Sequence, residues 1–428
     1  MVAGRQRHLP TPKRVLMIYS VTGRGGDAVQ VQCMSDALRR LGCEVALVGA
    51  RPLRPYSFSG LDGKARSWAK KSPWWTKDLL ILGLHCLAGL KGALVAFRFR
   101  PDCIIERTTP YGLIGLWLAR LFRLPLIAHL DAPYGEERAY RKEHLCTLLH
   151  RHTMRALGRR ATLVVLGSEA SRAYYAKLGI PANKTVLMRN GVFPEDIAPA
   201  PARANGKLVL GYVGSMAVWH RVHLLIEAAS RLREQGFPVK VKIVGMGEDY
   251  QNLLAFARSR NMSKVVEFTG PLNHRQALEA IDDFSVGVLP HTLSCGAPMK
   301  LVEYAARGVP MVAPDLPNLR QMWGNASVGY FRPGDVEALE RTLRSLIENP
   351  DERDRLATSA WKLVRQRYTW LHQMGSVFEA LSGESPEEAT NSILRKEARS
   401  ADRAGMPAEA GASAAETHLS LGAGRGWG

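Results

Sequence analysis

Residues 290–314, PHTLSCGAPMKLVEYAARGVPMVAP, contain the transition that decides the fold. A loop rich in Gly and Pro runs into an apolar helical pattern, and a short apolar strand follows the glycine at 308. Lys300 lies in the first turn of that helix, and Glu303 lies one turn further along the same face. Because the flanking residues are too apolar for a solvated ion pair, the two charges indicate a ligand site at a helix N-terminus.

The same alternation of strand and helix extends in both directions along the 428 residues. In the first half the predicted strands are 14–20, 44–50, 103–107, 124–130, 162–168 and 184–192. A segment rich in Ala and Pro at 198–207 reads as a linker, and the second half then places strands at 208–215, 239–248, 265–271, 284–291 and 308–314. Helices fill the spaces between them, for example at 29–42 and 223–236.

This pattern predicts an α/β protein with two doubly wound, Rossmann-like domains. We expect the first domain at 1–200 and the second at 206–366. An amphipathic run at 367–383 is the last ordered piece that the sequence predicts. The remaining residues, 384–428, have few apolar anchors, and their composition is typical of a disordered tail.

The net charge of +19 is distributed unevenly between the two halves. Residues 1–200 hold 31 Lys and Arg against 14 Asp and Glu, whereas the rest of the chain is nearly neutral. Such a surface favours an anionic partner, and no nucleic-acid-binding motif accompanies the charge. Two tryptophans among lysines at 73–77 are typical of a membrane interface instead, although a merely solvated basic face remains the alternative.

Other sequence features exclude further classes of protein. The six cysteines show no C-x-x-C spacing, which favours a reducing compartment over a disulfide scaffold. The first residues lack the apolar region of a signal peptide. Two apolar stretches, 79–97 and 113–130, are interrupted by charges, so we expect no membrane span in either and a buried core helix at 113–123. No D-x-D motif is present, and His150 and His152 point apart on a helix, so we expect no metal site.

Glycines follow several predicted strands, where ligands of open α/β sheets bind. The turn at 22–26 contains Gly25 and Gly26, but it lacks the G-x-G-x-x-G spacing of a dinucleotide site, and tight packing explains such a turn equally well. In the second half Gly214, Gly245 and Gly247 end two strands. These glycines and the loop at 290–298 are predicted to converge on one edge of the second sheet.

The segment PMKLVEYAARGVPMVA resembles the donor-site signature of glycosyltransferase family 4, retaining enzymes of the GT-B fold. Segments 213–228, 241–248 and 265–272 are similar to the family in order and spacing, and the likeness covers about residues 13–383. It implies two domains that face each other across a cleft, with the helix at 367–383 crossing back onto the first domain.

The resemblance also implies roles for single residues. Glu303 matches the glutamate that holds the nucleotide ribose, and His220 stands near the donor diphosphate. The loop that contacts the donor sugar and diphosphate comprises Cys295, Gly296, Ala297, Pro298 and Met299, and Gly25 and Gly26 face the phosphates from the first domain. Lys300 is expected to reach the phosphate, Arg221 replaces a glycine of the family, and Cys295 replaces its other glutamate.

On the acceptor side the family places a histidine at the end of a strand of the first domain. In IAHLDAP (127–133) Asp131 occupies the expected register, and His129 lies two residues earlier. Because alternate residues of a strand share a face, either side chain is a candidate to meet the acceptor. For His129, burial in the sheet is an equally good interpretation.

The sequence therefore predicts a retaining hexosyltransferase that needs no metal and no cofactor. Its expected donor is a nucleotide-sugar, and its expected acceptor is a saccharide or a lipid-linked sugar on an anionic membrane at the cytoplasmic side. The pathway expected from this is cell-surface polysaccharide or glycolipid synthesis. Two alternatives share the fold: a nucleotide-sugar-binding protein without catalysis, and a sugar-nucleotide 2-epimerase.

Overall fold

The computed structural model describes residues 10–19, 25–49, 52–53, 74–108, 112–130, 147–200 and 208–382. Within these ranges the chain forms two six-stranded sheets, and all neighbouring strands are parallel. Parallel strands require crossover helices that cover both faces of the sheet, which explains why these strands read as nearly continuous apolar runs. The prediction of two Rossmann-like domains is confirmed.

The first sheet has the order β2-β1-β3-β4-β5-β6. Its strands are β1 (Arg14–Tyr19), β2 (Glu44–Gly49), β3 (Cys103–Arg107), β4 (Leu126–Leu130), β5 (Leu163–Leu166) and β6 (Thr185–Leu187). Its helices are α1 (Gly25–Arg40), α2 (Trp74–Phe99), α3 (Ile114–Phe122), α4 (Thr147–Arg160) and α5 (Glu169–Lys177). Helix α1 packs on one face of the sheet, and α2 to α5 pack on the other.

The second sheet has the order β12-β11-β10-β7-β8-β9. Its strands are β7 (Val209–Val213), β8 (Lys240–Val244), β9 (Val266–Gly270), β10 (Val286–Val288), β11 (Met311–Pro314) and β12 (Gly329–Phe331). Its helices are α6 (His223–Glu234), α7 (Tyr250–Ser259), α8 (His274–Ile281), α9 (Met299–Ala306), α10 (Pro317–Trp323), α11 (Val336–Glu348) and α12 (Pro350–Arg367). The chain direction across the sheet reverses between β7 and β10, which is where such sheets bind ligands.

The last helix of the described residues, α13 (Trp370–Ser382), crosses back to the first domain. Trp370, Met374 and Phe378 are buried in the core that α1 forms on the first sheet. At the crossing point the amide of Trp370 donates to the carbonyl of Val192 at 3.0 Å. A Cβ at Gly191 would lie 2.6 Å from the Trp370 nitrogen, so only glycine admits this approach.

Several boundaries differ from the sequence predictions. Helix α1 begins at Gly25 rather than at 29, and β6 ends at Leu187 because the chain then turns toward α13. Within the described ranges one segment, Leu82–Phe99 of α2, is long and apolar enough to cross a membrane by length and composition. The charges that interrupt this segment therefore do not exclude a span by composition alone. The tail at 384–428 lies outside the described residues.

Candidate active site

Glycines bring two strand ends together at the centre of the second sheet. Gly214 follows β7 and Gly245 follows β8, with φ values of +131° and +125° that L side chains rarely adopt. A Cβ at Gly245 would collide with the carbonyl of Gly214, and a Cβ at Gly247 would collide with the carbonyl of Met216. These glycines therefore allow close packing of the two loops, and the structure places them at the edge where the sequence predicted a site.

Lys300 lies beneath this glycine turn. Its ammonium group is buried, donates a hydrogen bond to the Tyr212 hydroxyl at 2.9 Å, and lies over the Tyr212 ring at 4.3 Å. A Cβ at Gly214 would lie 3.1 Å from Lys300 Nζ, so the absence of a side chain there leaves the cation next to the turn. Burial lowers the pKa of Lys300 to about 7, and the charge of Glu303 offsets only part of that cost.

His220 closes a short network around Tyr212. It ends the 3₁₀ turn Val218–His220, and its Nδ1 lies 2.7 Å from both the Tyr212 hydroxyl and the Ser215 carbonyl. Because a carbonyl can only accept, Nδ1 carries the proton in this arrangement. Burial, with a smaller contribution from the Lys300 charge, lowers the pKa of His220 to about 3. The imidazole is therefore neutral at physiological pH.

Arg221 occupies a backbone conformation that suits glycine. Its φ and ψ are both 45°, in the left-handed region. The guanidinium lies near the turn at Gly334, where a Cβ would be 3.3 Å from Arg221 Nη1. Its charge helps to lower the pKa values of His223 and His291, for which burial is the larger cause. Arginine is thus accommodated where the family resemblance expects glycine.

Three successive carbonyl groups of the loop before α9 accept hydrogen bonds from side chains. Ser168 Oγ donates to the carbonyl of Cys295 at 2.9 Å, and Asn190 Nδ2 donates to that of Ala297 at 2.6 Å. Between them, Asn318 Nδ2 donates to the carbonyl of Gly296 at 2.5 Å. Ser168 and Asn190 belong to the first domain and Asn318 to the second, so both domains hold residues 295–297, called here the donor loop.

The donor loop leads into the N-terminus of α9. Pro298 precedes the first helical residue, Met299, and provides no side-chain cap. The first amides of a helix have no carbonyl partner within it and carry partial positive charge, so this end suits a phosphate. The helix is anchored from below by Tyr304, whose hydroxyl accepts from the Val213 amide at 2.9 Å. The Cys295 side chain is only 3% exposed, so this residue contributes to the site through its backbone.

Glu303 is half-buried one turn into α9. Burial raises the pKa of its carboxyl group, and the nearby His274 and Lys300 oppose that shift. Within the described ranges the structure shows no ion pair between Glu303 and Lys300, because the lysine turns to Tyr212 instead. The Glu303 carboxylate therefore does not form the ion pair with Lys300 that the spacing of three residues allowed. It can accept hydrogen bonds from a ligand instead.

The first domain contributes a chain of side-chain hydrogen bonds that reaches the donor loop. Arg107 Nε, at the end of β3, donates to Gln30 Oε1 at 2.8 Å. Gln30 Nε2 donates to Asn190 Oδ1 at 2.8 Å, and Asn190 donates onward to Ala297. Helix α1, which starts at Gly25 and Gly26, places Gln30 between Arg107, at the end of β3, and Asn190. This chain connects the edge of the first sheet to the donor loop.

His129 is enclosed in the first sheet rather than open to the cleft. It is 2% exposed and pairs in register with Arg107 on the neighbouring strand. Burial and the Arg107 charge lower its pKa to about 3, and its Nδ1 has no hydrogen-bond partner among the residues that the structure covers. The other predicted acceptor-side residue, Asp131, lies outside the described residues.

Sequence reasoning missed several members of this site. Gln30, Arg107, Tyr212 and Asn318 were not singled out, although the strand-end positions of Arg107 and Tyr212 were a usable signal. Asn190 lies within the predicted strand 184–192, for which the sequence indicated no role in the site. No group of three or more His, Cys, Asp or Glu side chains is arranged to hold a metal ion in the part of the chain that the structure describes.

Comparisons with known proteins identify the family and the fold. The family model described as a glycosyl transferase 4-like domain matches residues 25–191, and that of glycosyl transferases group 1 matches residues 194–362. A glycogen synthase of Mycobacterium tuberculosis is 25% identical over 384 residues, which cover 83% of this chain and 91% of the relative. The putative colanic acid biosynthesis glycosyltransferase WcaL of Escherichia coli is 26% identical over 65% of this chain and 70% of its own length.

The solved structure of Anabaena HepE in complex with UDP superimposes with a TM-score of 0.65 at 20% identity, covering 86% of this chain and all of HepE. Two Rossmann-like domains with a cleft between them define the GT-B class of glycosyltransferases. With both family models matched along its length, the chain belongs to glycosyltransferase family 4, whose members use nucleotide-sugars.

Proposed function

We propose that the protein is a retaining hexosyltransferase that acts on a saccharide or lipid-linked acceptor in cell-surface polysaccharide or glycolipid synthesis. The observation that carries this proposal is the donor loop. Its three carbonyls are held by Ser168, Asn318 and Asn190, and it precedes a helix N-terminus with Lys300 and Glu303 in the first two turns. This is an anion site and a hydroxyl site at a fixed spacing, as a nucleotide-sugar requires.

In this proposal the donor diphosphate lies against the N-terminus of α9 and the turn at Gly214. Lys300 lies next to that turn and supplies positive charge, and His220 gains a second N–H donor, at Nε2, when an adjacent anion raises its pKa. Glu303 accepts hydrogen bonds from the vicinal ribose hydroxyls. Gly25 and Gly26 at the start of α1 approach the phosphates from the first domain.

The reaction then forms a bond from the acceptor hydroxyl oxygen to the anomeric carbon while the bond from that carbon to the diphosphate oxygen breaks. The hydroxyl proton passes to the departing phosphate oxygen on the same face, so the configuration is retained. The charge that develops on the diphosphate is stabilised by Lys300, His220 and the helix amides, and we propose that no metal or cofactor is needed.

The acceptor site is assigned to the first domain, at the strand ends that carry Arg107 and precede Asp131. The excess of basic residues in this half favours an anionic acceptor or membrane surface over a neutral one. We therefore propose a peripheral location on the cytoplasmic face of a membrane, with no nucleic acid as partner.

Thermal stabilisation by UDP, GDP, ADP and their sugars, without metal, tests the donor site first. A ligand at a hundred times its dissociation constant adds about 2.7 kcal/mol of stability, which such a measurement resolves easily. We expect one base to stand out, and we expect Glu303→Gln to weaken its binding about tenfold or more through loss of charge-assisted hydrogen bonds. No stabilisation by any nucleotide contradicts the proposal.

Transfer itself is tested with the selected donor and a panel of saccharide and lipid-linked acceptors, and the anomeric configuration of the product is read by NMR. Binding without turnover by either wild type or Arg221→Gly identifies a non-catalytic binding protein. Epimerisation of the donor without transfer identifies a sugar-nucleotide 2-epimerase. Inversion at the anomeric carbon contradicts the retaining mechanism alone.

A further inference from the structure

Helix α2 carries large apolar side chains on the side that faces away from its own domain. Leu79, Leu87, Leu90, Leu94 and Phe97 are all exposed, and their spacing of three, four or eight residues places them on one stripe. Leu90 is 69% exposed and Phe97 is 73% exposed. A helix that faces water presents polar residues at such positions.

The side of α2 that faces the domain is made of small residues instead. Ala88, Gly89, Gly92 and Ala96 are buried there, and a Cβ at Gly92 would lie 2.7 Å from Leu118 Cδ1. The helix therefore lies so close to α3 that no room remains for its leucines to turn inward. The usual amphipathic arrangement is inverted, with small residues inside and large ones outside.

Exposed apolar side chains also lie on two further helices that pack on the same face of the first sheet. Trp117 and Leu121 are exposed on α3, and Leu149 is exposed at the start of α4. Among the exposed large hydrophobic residues that the structure describes, all except Val218 lie on these three helices. This clustering defines one surface, called here the α2–α4 face, which consists of Leu79, Leu80, Leu82, Leu87, Leu90, Leu94, Phe97, Trp117, Leu121 and Leu149. A concentration of exposed apolar side chains on one face of a domain marks an interaction site.

The charges on the same helices identify the partner. Helices α2, α3 and α4 contain eight Lys and Arg residues and a single acidic residue, Asp78. Lys91 and Arg98 are exposed on α2, where they flank the leucine stripe. Two copies of this face would repel each other, whereas an anionic lipid surface offers both an apolar layer and negative headgroups. We propose that the α2–α4 face docks on an anionic membrane and inserts its leucines, Phe97 and Trp117 into the headgroup region.

The packing of α2 specifies insertion in the interface rather than across the bilayer. The segment Leu82–Phe99 has the length and composition of a span, but its inner side is part of the first domain's core with Ala88 and Ala96. Drawing the helix across a membrane would uncover that core and the apolar residues of α3 beneath it. Only the outer stripe is therefore available to lipid.

The docked orientation places the cleft at the membrane. Helices α2 and α3 each follow a strand of a parallel sheet, so both begin at the carboxyl edge of that sheet. Ser168 follows β5 at this same edge and contacts the donor loop. On the premise of the transferase function proposed above, a lipid-linked acceptor in that membrane would enter the cleft alongside the start of α2.

Vesicle flotation of the full chain tests the docking surface, with phosphatidylcholine alone or mixed with phosphatidylglycerol. We expect the wild type to float with the anionic vesicles at low salt. The variant Leu90→Ser/Leu94→Ser/Phe97→Ser should bind them more than about tenfold more weakly, because three exposed apolar side chains no longer enter the lipid. Lys91→Gln/Arg98→Gln should also weaken binding, whereas the matched charge removal on the second domain, Arg355→Gln/Lys362→Gln, should not.

The exposed positions of the triple variant leave the core intact, so its melting temperature and nucleotide binding should equal those of wild type. Wild-type affinity of the triple variant for anionic vesicles overturns the proposal. A second overturning result is a wild-type protein that is a dimer in lipid-free solution and a triple variant that is a monomer. A second copy of the chain would then cover the α2–α4 face. Resistance of the membrane-bound protein to alkaline carbonate overturns interfacial docking in favour of a span. Vesicle binding with no nucleotide binding would refute the transferase proposal and leave this one standing.

Discussion

The buried lysine under the glycine turn predicts that nucleotide binding takes up a proton. In the free protein the pKa of Lys300 falls from 10.5 to about 7, because burial disfavours its charged form. A shift of that size corresponds to about 5 kcal/mol of cost for keeping the charge, at 1.36 kcal/mol per pKa unit. In the proposed site, a diphosphate beside Gly214 would supply the missing counter-charge and restore the pKa of Lys300 toward its ordinary value.

The expected stoichiometry follows from these values. At pH 8 a group with a pKa near 7 is only about one-tenth protonated, so restoring its pKa above 9 takes up roughly 0.8 proton per nucleotide bound. Isothermal titration calorimetry in Tris and in HEPES at pH 8 measures this uptake, since the two buffers release protons with different enthalpies. Lys300→Met, which keeps the length of the side chain and removes the titrating group, should abolish it.

Two results would refute this reasoning. Binding heats that do not depend on the buffer would show that Lys300 does not meet the diphosphate. Uptake that persists in Lys300→Met and disappears in His220→Gln would assign the proton to His220, whose pKa is also lowered in the free protein.

Three further predictions concern stability and the contacts between the domains. Folding lowers the pKa of Lys300, so the unfolded chain binds more protons than the folded chain between pH 7 and 10.5. The free energy of unfolding should therefore rise with pH across that window. Chemical denaturation should show this rise in wild type and a flatter profile in Lys300→Met. Arg221→Gly should raise the free energy of unfolding, measured from the urea midpoint, by about 0.5–1 kcal/mol because it relieves the left-handed backbone. The control Asn261→Gly, at a φ of +57° that asparagine tolerates, should change the free energy of unfolding less. A loss of stability in Arg221→Gly would contradict the argument. Asn190→Ala removes the side chain that links Gln30 to the Ala297 carbonyl. Nucleotide binding should weaken about fivefold, which corresponds to the net value of one hydrogen bond. Unchanged affinity by calorimetry would show that the donor loop needs no support from the first domain.

The sequence was sufficient to predict the fold and the meeting of the glycine turns at one edge of the second sheet. Alternating strand and helix patterns require parallel sheets, and the glycines at 214, 245 and 247 mark strand ends by their steric need alone. The hydrogen-bond partner of Lys300 could not be predicted in the same way. The spacing of three to Glu303 suggested a pair, but the hydroxyl that Lys300 contacts comes from Tyr212, 88 residues away.

The face of α2 was also beyond sequence reasoning. Its leucines recur with the period of a buried stripe, and periodicity does not say which side of a helix meets the domain. That choice is decided by α3, because Leu118 leaves room only for Gly92 at the contact. The burial of His129 likewise depends on its neighbours in the sheet, since β3 and β5 flank β4 on both sides.

The crossing of α13 has a consequence for how the chain is made. The first domain is not continuous along the polypeptide: residues 370–382 complete a core that otherwise ends near 200. At 5–20 residues per second, a ribosome needs roughly 10–35 s to add the intervening segment. Throughout that interval the face of the first sheet that Trp370, Met374 and Phe378 will cover stays open. The second domain, although it is synthesised later, is the first whose core can close, and a chain that ends before Trp370 would leave its first domain permanently unfinished.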